Sequence, residues 1–239
     1  MQISRVVQAK ILMRSFFIQG AWNFKGMQNI GFTYAMLPGL KAIHGKDSTS
    51  LNKSLRRYFT FFNTQPYMAP TIMGACLNKE AAGDTTRIED LQHTMESTLA
   101  AIGDTFFWQD LKPITSLVSI LFIMLGHAWG IALAFIVFNV IHIWTMIGGF
   151  KLSLRDGIQG VLKLGKRLTA DIGSKISYII PFLVGLSIVI LPVYSKGTIN
   201  AAWIWLCFPV FLILHLIRVN SFWLFYAMSI TVLLLSVMV

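Results

Sequence analysis

Charged residues are scarce in this chain of 239 residues. They make up 13% of it, whereas about 25% is usual for soluble proteins. Acidic side chains are the scarcest, with 10 of them against 20 lysines and arginines. Apolar residues reach 55%, and the mean hydropathy is +0.65. These values exclude an ordinary soluble domain and predict an all-α, polytopic integral membrane protein.

Residues that commonly carry catalysis or bind metals are also few. The two cysteines, Cys76 and Cys207, are far apart and lack the spacing of a metal site or a disulfide framework. The metalloprotease helix motif, the serine-hydrolase elbow and the glycine-rich phosphate loops do not occur. The five histidines show no metal-binding spacing. We therefore expect no catalytic residue, no metal and no cofactor.

Four polar side chains lie inside or beside long apolar runs. They are His127, Asn139, His142 and His215. Polar residues at membrane depth are candidates for a transport path. The alternative is that they form hydrogen bonds between helices, and the sequence leaves both interpretations open.

The net charge of +10 is distributed as in a membrane protein. Lysine and arginine avoid the apolar runs and lie beside them, as the positive-inside rule describes. We therefore expect the basic segment 151–175 to be a cytoplasmic loop. We also expect the protein to lie in membrane lipid and not to bind nucleic acid. The first ten residues lack the apolar core and cleavage site of a signal peptide.

The composition divides the chain near residue 112. Residues 1–112 have apolar stretches too short to cross about 30 Å of hydrocarbon, and they predict interfacial or re-entrant helices with a polar segment at 78–96. Residues 113–239 predict transmembrane helices. The uncharged run 114–150 has a glycine-rich break in its middle and predicts either a hairpin or a full span joined to a partial one. Further spans are predicted at 176–194, 201–217 and 221–239.

Several boundaries follow from capping and breaking residues. A basic amphipathic helix at 4–20 either lies in the membrane interface or packs on its own domain. Ser48 is predicted to cap a helix that ends at Phe62, and a short apolar helix is predicted over 67–77. Asp84 or Thr85 is predicted to cap a helix that runs to Ala101.

The chain carries an unusual polar stretch at 61–66. Asn63, Thr64 and Gln65 lie between two phenylalanines and Pro66. Proline disfavours the α conformation of the residue before it, so the three polar residues are predicted to lie at a turn. Their side chains donate and accept hydrogen bonds without carrying charge. That chemistry suits sugar hydroxyls, and a plain surface turn is the alternative.

Asp104 follows Gly103 just before a run of aromatic residues. This position predicts a helix break, with Asp104 as the N-cap of the next helix. The alternative is that Asp104 accepts a hydrogen bond from a sugar hydroxyl beside Trp108.

Several short motifs occur in a specific order. They are Gly20-Ala21-Trp22-Asn23-Phe24, Met27-Gln28, Phe61-Phe62-Asn63-Thr64-Gln65-Pro66, Gly103-Asp104, Phe107-Trp108 and Pro113. Together they resemble the D component of the mannose/fructose/sorbose-type enzyme II of the bacterial phosphotransferase system. The resemblance extends from about residue 4 to residue 175.

The resemblance implies a hetero-oligomer in the bacterial inner membrane. The D component would pair with a C component to form the path of a hexose-type sugar. Cytoplasmic A and B components would carry the phosphoryl group on histidines, and the B component would pass it to the sugar. The D component would hold no phosphohistidine.

Two functional hypotheses follow. The first is a permease subunit, with Trp22 or Trp108 offering a ring for sugar stacking. Its candidate substrate-binding residues are Gln28, Asn29, Asn63, Thr64, Gln65, Asp104 and Trp108. The second is a non-transporting membrane scaffold, motivated by departures from the family pattern. Thr105 stands where proline is usual, 97–101 lacks the usual glycines and proline, and the chain resembles a shortened, divergent member.

Overall fold

The computed structural model of the chain describes residues 3–176 and 178–194. Within these ranges the secondary structure is helical, with two isolated β-bridges at Met27, so the all-α prediction is confirmed. The α-helices are α1 (Arg5–Ser15), α2 (Asn29–His44), α3 (Ser48–Tyr58), α4 (Ala69–Ala81), α5 (Ile88–Gly103), α6 (Lys112–Met124), α7 (Trp129–Asp156), α8 (Ile158–Lys166), α9 (Ser174–Ile176) and α10 (Ile179–Tyr194). Two π-helical segments, Asp104–Leu111 and Arg167–Gly173, join α5 to α6 and α8 to α9.

The described residues fall into two compact units. The first comprises residues 3–116 and 132–180, and the second comprises 117–131 and 181–194. The domain boundary near residue 112 is inferred from composition alone, and it stays a prediction.

Helix α4 is the centre of the first unit. Most of its side chains are buried, because α1, α2, α5 and α8 all pack against it. An apolar sequence of small and medium side chains, from Ala69 to Leu77, lets these helices approach from several directions. The helix begins two residues later and ends four residues later than the segment 67–77 predicted from the sequence.

Helices α4 and α7 approach each other closely through glycines. A Cβ atom at Gly149 would lie 2.2 Å from the Thr71 hydroxyl oxygen, and one at Gly74 would lie 2.6 Å from the Phe150 carbonyl oxygen. Small residues permit such contacts between helices in membranes. This contact fixes the position of α7 against the start of α4, where the candidate site lies.

We expect Gly149→Ala to destabilise the fold. The added methyl group would overpack the contact with Thr71, which costs about 1–3 kcal/mol. Gly148→Ala is the matched control on the same helix, because a Cβ atom there meets nothing within 4 Å. Thermal unfolding in detergent measures both variants. Equal unfolding temperatures for the two variants would show that the close contact is absent.

The predicted break at Gly103–Asp104 is wrong. Helix α5 continues through the π-helical segment into α6, and Asp104 has helical dihedral angles of −64° and −43°. Asp104 is therefore inside a continuous helix and does not act as an N-cap. At the end of this segment the N–H of Lys112 bonds to the carbonyl of Phe107, five residues back. The departures from the family pattern at 97–105 agree with this helical course.

Two helical stretches of the described chain are long and apolar enough to cross a membrane. They are Ile88–Met124 and Trp129–Asp156. The turn between them contains Gly126, whose φ is 80°. Glycine adopts such a positive φ without the steric penalty that a side chain would cause. The predicted break in the run 114–150 is thus confirmed as a turn between two helices. The spans predicted at 201–217 and 221–239 lie outside the described residues.

The basic segment 151–175 is helical and not a loop. Its first residues complete α7, and α8, the second π-helical segment and most of α9 follow. Its cytoplasmic position stays a prediction. The span predicted at 176–194 corresponds to α10, which begins at Ile179.

Three helix starts differ from the sequence prediction. Asp47, not Ser48, caps α3 by accepting hydrogen bonds from the N–H groups of Thr49 and Ser50, and that helix ends at Tyr58. Neither Asp84 nor Thr85 caps α5, because the chain turns at Arg87 with a φ of 51°. Helix α1 is shorter than the predicted segment 4–20. It packs on α2, which agrees with the interpretation that this helix packs on its own domain. A place in the membrane interface stays a prediction.

Candidate functional site

The polar stretch at 61–66 lies in a loop between α3 and α4, as its sequence predicts. Phe62 anchors this loop, because its ring is fully buried and stacks on Phe32 with ring centroids 3.9 Å apart. The loop also pairs with the preceding connection: Phe62 N–H donates to the Gly26 carbonyl (3.2 Å), and Gln28 N–H donates to the Phe62 carbonyl (2.8 Å). The aromatic contact and the main-chain bonds together fix where the polar residues begin.

Gln28 binds the main chain of Thr64 at two points. Its Nε2 donates to the Thr64 carbonyl at 2.9 Å, and its Oε1 accepts from the Thr64 N–H at 3.1 Å. Thr64 in turn donates its hydroxyl to the Glu96 carbonyl on α5 at 3.0 Å. Gln28 and Thr64 are 2% and 3% exposed. Their polar groups are thus used within the protein to hold the loop.

Asn29 is also engaged locally. Its Nδ2 donates to the Phe59 carbonyl at 3.1 Å, and its Oδ1 accepts from the Ile30 N–H at 2.8 Å. A further bond at 3.3 Å comes from the side-chain amide of Asn23. The side chain of Asn63, by contrast, is exposed. Asn29 therefore supports the loop, whereas Asn63 faces outward from it.

The side-chain amide of Gln65 is buried, and only its oxygen has a hydrogen-bond partner among the described residues. Its Oε1 accepts from the Tyr67 N–H at 2.7 Å, but its Nε2 has no hydrogen-bond partner in the described structure. The residue is 2% exposed. An unsatisfied buried donor costs about 1–3 kcal/mol, so native proteins rarely keep one without a reason.

Gly103 makes room for Gln65. A Cβ atom at Gly103 would lie 2.7 Å from the Gln65 Cβ and the same distance from the Met68 Cγ. The glycine thus serves a close contact between α5 and the loop. It also brings the π-helical segment, which starts at Asp104, next to the unpartnered amide. Single π-helical segments within α-helices are frequent at functional sites.

Aromatic side chains extend this neighbourhood on one side. The ring of Tyr67 lies 5.7 Å from that of Trp108, 4.9 Å from that of Phe107 and 3.8 Å from that of His142, between centroids. Trp108 is 39% exposed, and the Lys112 ammonium lies 5.0 Å from the centre of its ring. Burial raises the pKa of the Tyr67 phenol above its usual value.

The structure thus divides the sequence-predicted residues into two sets. Gln28, Asn29 and Thr64 form a hydrogen-bonded support for the loop. Gln65 keeps a free amide next to the segment that carries Asp104 and Trp108. The side chain of Asp104 is exposed there and has no hydrogen bond to another described residue.

Two residues in this neighbourhood were not among the predicted binding residues. From its place in an apolar run, the sequence predicts His142 as a candidate for a transport path, and the structure shows its ring against that of Tyr67. Its Nε2 lies 2.9 Å from the Met146 sulfur, and its Nδ1 has no hydrogen-bond partner among the described residues. Tyr67 was considered only as the start of a helix. The sequence signal for including Tyr67 in the site is its position next to the polar stretch. Its contact with α7 could not be predicted, because α7 is distant along the chain.

Comparison with known proteins places the chain in a family. The model of the PTS system mannose/fructose/sorbose family IID component, where PTS is the phosphotransferase system, matches residues 2–190. The chain belongs to this family. It is therefore a membrane protein, and the family resemblance noted from its motifs is confirmed.

The IID chain has several curated relatives. It is 31% identical over 161 residues to the mannose-specific EIID component of Escherichia coli K12, which covers 65% of this chain and 57% of the relative. It is 26% identical over 194 residues to the sorbose-specific EIID component of Klebsiella pneumoniae, which covers 77% of this chain and 70% of the relative. In the first comparison, then, the IID chain spans less than two thirds of the relative's length.

Solved structures show the same fold. A structure described as a membrane protein matches with a TM-score of 0.69 at 27% identity, covering 79% of the IID chain and 71% of that chain. A chain from the cryo-EM structure of the mannose transporter ManYZ with microcin E492 matches with a TM-score of 0.60 at 22% identity. The second match covers 96% of the IID chain and 94% of that chain.

Proposed function

We propose that this chain is the D subunit of a sugar permease in the bacterial inner membrane, which it crosses several times. It would pair with a C component, and the two would form the path of a hexose-type sugar. A cytoplasmic A component and a B component would supply the phosphoryl group, and the B component would phosphorylate the sugar. The IID chain itself would be non-catalytic. Family membership and the mannose and sorbose names of its relatives support this proposal.

One observation carries the proposal at the level of residues: the buried Nε2 of Gln65 has no hydrogen-bond partner among the residues that the structure describes. An amide donor that is kept free at a buried position gains a hydrogen bond when a sugar hydroxyl arrives. It discriminates against a ligand that lacks the hydroxyl, since the donor then stays unpaired.

The surroundings of Gln65 suit the same ligand. Asp104 and the exposed Asn63 offer acceptors and donors, and the half-exposed ring of Trp108 offers an apolar face. Gln28, Asn29 and Thr64, which the sequence also suggested as contacts, would act by holding the loop in place. In this proposal they position the binding residues and do not touch the sugar.

Reconstituted transport tests the proposal. Proteoliposomes containing this chain and its C component, with the A and B components and the phosphoryl donor enclosed in the lumen, are expected to accumulate radiolabelled hexose phosphate supplied as the free hexose outside. Vesicles that lack this chain serve as the control. Accumulation that is equal with and without the chain would contradict the permease proposal.

The second candidate is a membrane scaffold that no longer transports. The continuous helix through 97–111 favours it, because the family pattern has glycines and a proline where this chain is helical. Copurification separates the two candidates when it is combined with the transport assay. A stable complex with the C component that moves none of the hexoses tested would favour the scaffold.

A further inference from the structure

A cavity of about 450 Å³ lies in the first unit, away from the candidate sugar site. It is open on one side and is lined by the N-terminal end of α1, the last turns of α7 and the C-terminal half of α4. The polar and charged side chains that line it are Ser4, Arg5, Gln8, Asn78, Lys151 and Arg155.

The lining of this cavity is cationic. Three of the described lining residues are basic, and none of them is acidic. Arg5 and Lys151 form no ion pair or hydrogen bond with any other described side chain. Arg155 donates two hydrogen bonds to the carboxylate of Asp156, at 2.6 and 3.0 Å, so its charge is partly neutralised. Two uncompensated positive charges therefore face one cavity.

The neutral polar groups of the lining are already occupied. The Asn78 amide donates to the carbonyls of Leu154 and Arg155, at 2.9 and 3.4 Å, and so fixes the end of α7. The Gln8 amide donates to the Ile3 carbonyl at 2.8 Å. The cavity walls are thus held by the protein itself, and the donors that remain for a ligand are mainly the cations.

The start of α1 adds to the positive potential. Ser4 caps the helix by accepting from the Val7 N–H, and the Gln8 N–H bonds to the Ser4 carbonyl. The N–H groups of Arg5 and Val6 form no hydrogen bond within the described structure. Free N–H groups at a helix N-terminus favour phosphate groups, and Arg5, in the first turn of α1, lines the cavity together with Lys151.

Lys151 and Arg155 belong to the last two turns of α7, and α7 is one of the two helices able to cross a membrane. Basic residues at the end of a span lie at the level of the lipid head groups. Basic side chains next to a membrane span attract anionic head groups, and here they line a cavity that the end of α7 forms with α1 and α4.

We propose that this cavity binds a phosphate group, with an anionic phospholipid head group as the expected source. The ligand would be held by Arg5 and Lys151 together with the first-turn N–H groups of α1. This site is separate from the sugar path and does not depend on the proposed transport function.

Native mass spectrometry of the full-length chain tests the proposal. The chain is purified in detergent with phosphatidylglycerol or, as a zwitterionic comparison, phosphatidylcholine, and the retained lipid is counted. The double variant R5Q/K151Q is expected to bind phosphatidylglycerol about thirtyfold more weakly, since each of the two surface cations contributes about 1 kcal/mol to such binding. Retention of phosphatidylcholine is expected to change little.

The matched control is K10Q/K166Q, which also removes two exposed positive charges, one from α1 and one from α8, outside the cavity. It is expected to retain phosphatidylglycerol, as is the charge-conserving variant R5K/K151R. If R5Q/K151Q fails to fold, the single variants R5Q and K151Q replace it, each with an expected loss of about fivefold.

A second measurement distinguishes the two sources of phosphate. Inorganic phosphate is added at constant ionic strength, and the unfolding temperature is followed. A rise that the wild type shows and R5Q/K151Q loses would identify free phosphate as the ligand. If phosphatidylglycerol retention and the phosphate-induced rise are the same in R5Q/K151Q and in K10Q/K166Q, the proposal is wrong.

Discussion

Glu80→Ala is expected to lower the free energy of unfolding by about 3–5 kcal/mol, the cost of breaking a buried ion pair. The Glu80 side chain is fully buried, and its carboxylate accepts from Arg57 at 2.5 Å and from the Ser54 hydroxyl at 3.2 Å. The His44 ring nitrogen lies 3.5 Å away. Removing Glu80 leaves the Arg57 guanidinium, which is 9% exposed, without its buried partner.

Glu89→Ala is the matched control for this prediction. Glu89 is also paired with Arg57, but at 3.8 Å and with 60% of its side chain exposed. Exposed pairs contribute about 0–1 kcal/mol, so this variant is expected to be close to the wild type.

Cys76 provides the measurement, in a Cys207→Ser background. Its thiol is fully buried, and burial raises its pKa to about 12, so alkylation requires the protein to open. Glu80→Ala is expected to speed alkylation strongly, and Glu89→Ala is not. Equal alkylation rates in the two variants would show that the buried pair does not stabilise the fold.

Gln28→Ala is the second large effect that we expect. The substitution leaves the N–H and the carbonyl of Thr64 without their partners in a buried position, at a cost of about 2–4 kcal/mol. The loop that presents Gln65 would then lose its attachment to the start of α2. Gln28→Glu is expected to be destabilising as well, because an ionised carboxylate cannot donate to the Thr64 carbonyl.

Gln109→Ala is the control for the loss of a glutamine, since Gln109 is exposed. It is expected to change the free energy of unfolding by less than about 0.5 kcal/mol. Chemical unfolding monitored by Cys76 alkylation measures all three variants. If Gln28→Ala is as stable as Gln109→Ala, Gln28 does not support the loop, and a direct role in binding becomes the better explanation for it.

The sequence predicted those features of the fold that depend on composition and local pattern. The polar stretch at 61–66 ends at Pro66 because proline restricts Gln65, and the structure has a loop there. The run 114–150 divides at Gly126 because only glycine adopts the positive φ of that turn without cost.

Besides the local capping errors at α3 and α5, the sequence provided little information where a residue's partner is distant along the chain. Gly103 suggested a helix break, but the glycine accommodates Gln65, 38 residues earlier, and the helix continues. For Gln28 the sequence predicts a sugar contact, which stays a prediction, and it gives no sign that both polar atoms of this side chain bind Thr64, 36 residues later. Pattern and capping rules contain no information about such pairings, because they are set by how α2, α4 and α5 pack.

The same limit applies within the candidate site. The sequence identified three adjacent polar residues as candidate ligand-binding residues, and it does not distinguish between them: Asn63, Thr64 and Gln65. Their different roles emerge only from burial and hydrogen bonding: Thr64 is satisfied by Gln28 and Glu96, Asn63 is exposed, and Gln65 keeps a free donor.

Sugar uptake by Gln65→Ala tests the central claim most directly. Uptake of radiolabelled hexose is measured in vesicles containing all components and is divided by the amount of assembled complex. The free Nε2 of Gln65 is proposed to bind a sugar hydroxyl, so Gln65→Ala is expected to lower this specific uptake at least about tenfold, the effect of about 1.4 kcal/mol. The lost hydrogen bond to Tyr67 is expected to reduce stability by only about 1 kcal/mol.

Gln28→Ala provides the comparison. It is expected to lower the amount of folded complex and, because Gln28 positions the loop that carries Gln65, to lower the specific uptake of the remaining complex less than Gln65→Ala does. Unchanged specific uptake in Gln65→Ala, in a complex that assembles normally, would contradict the assignment of Gln65 to the sugar path.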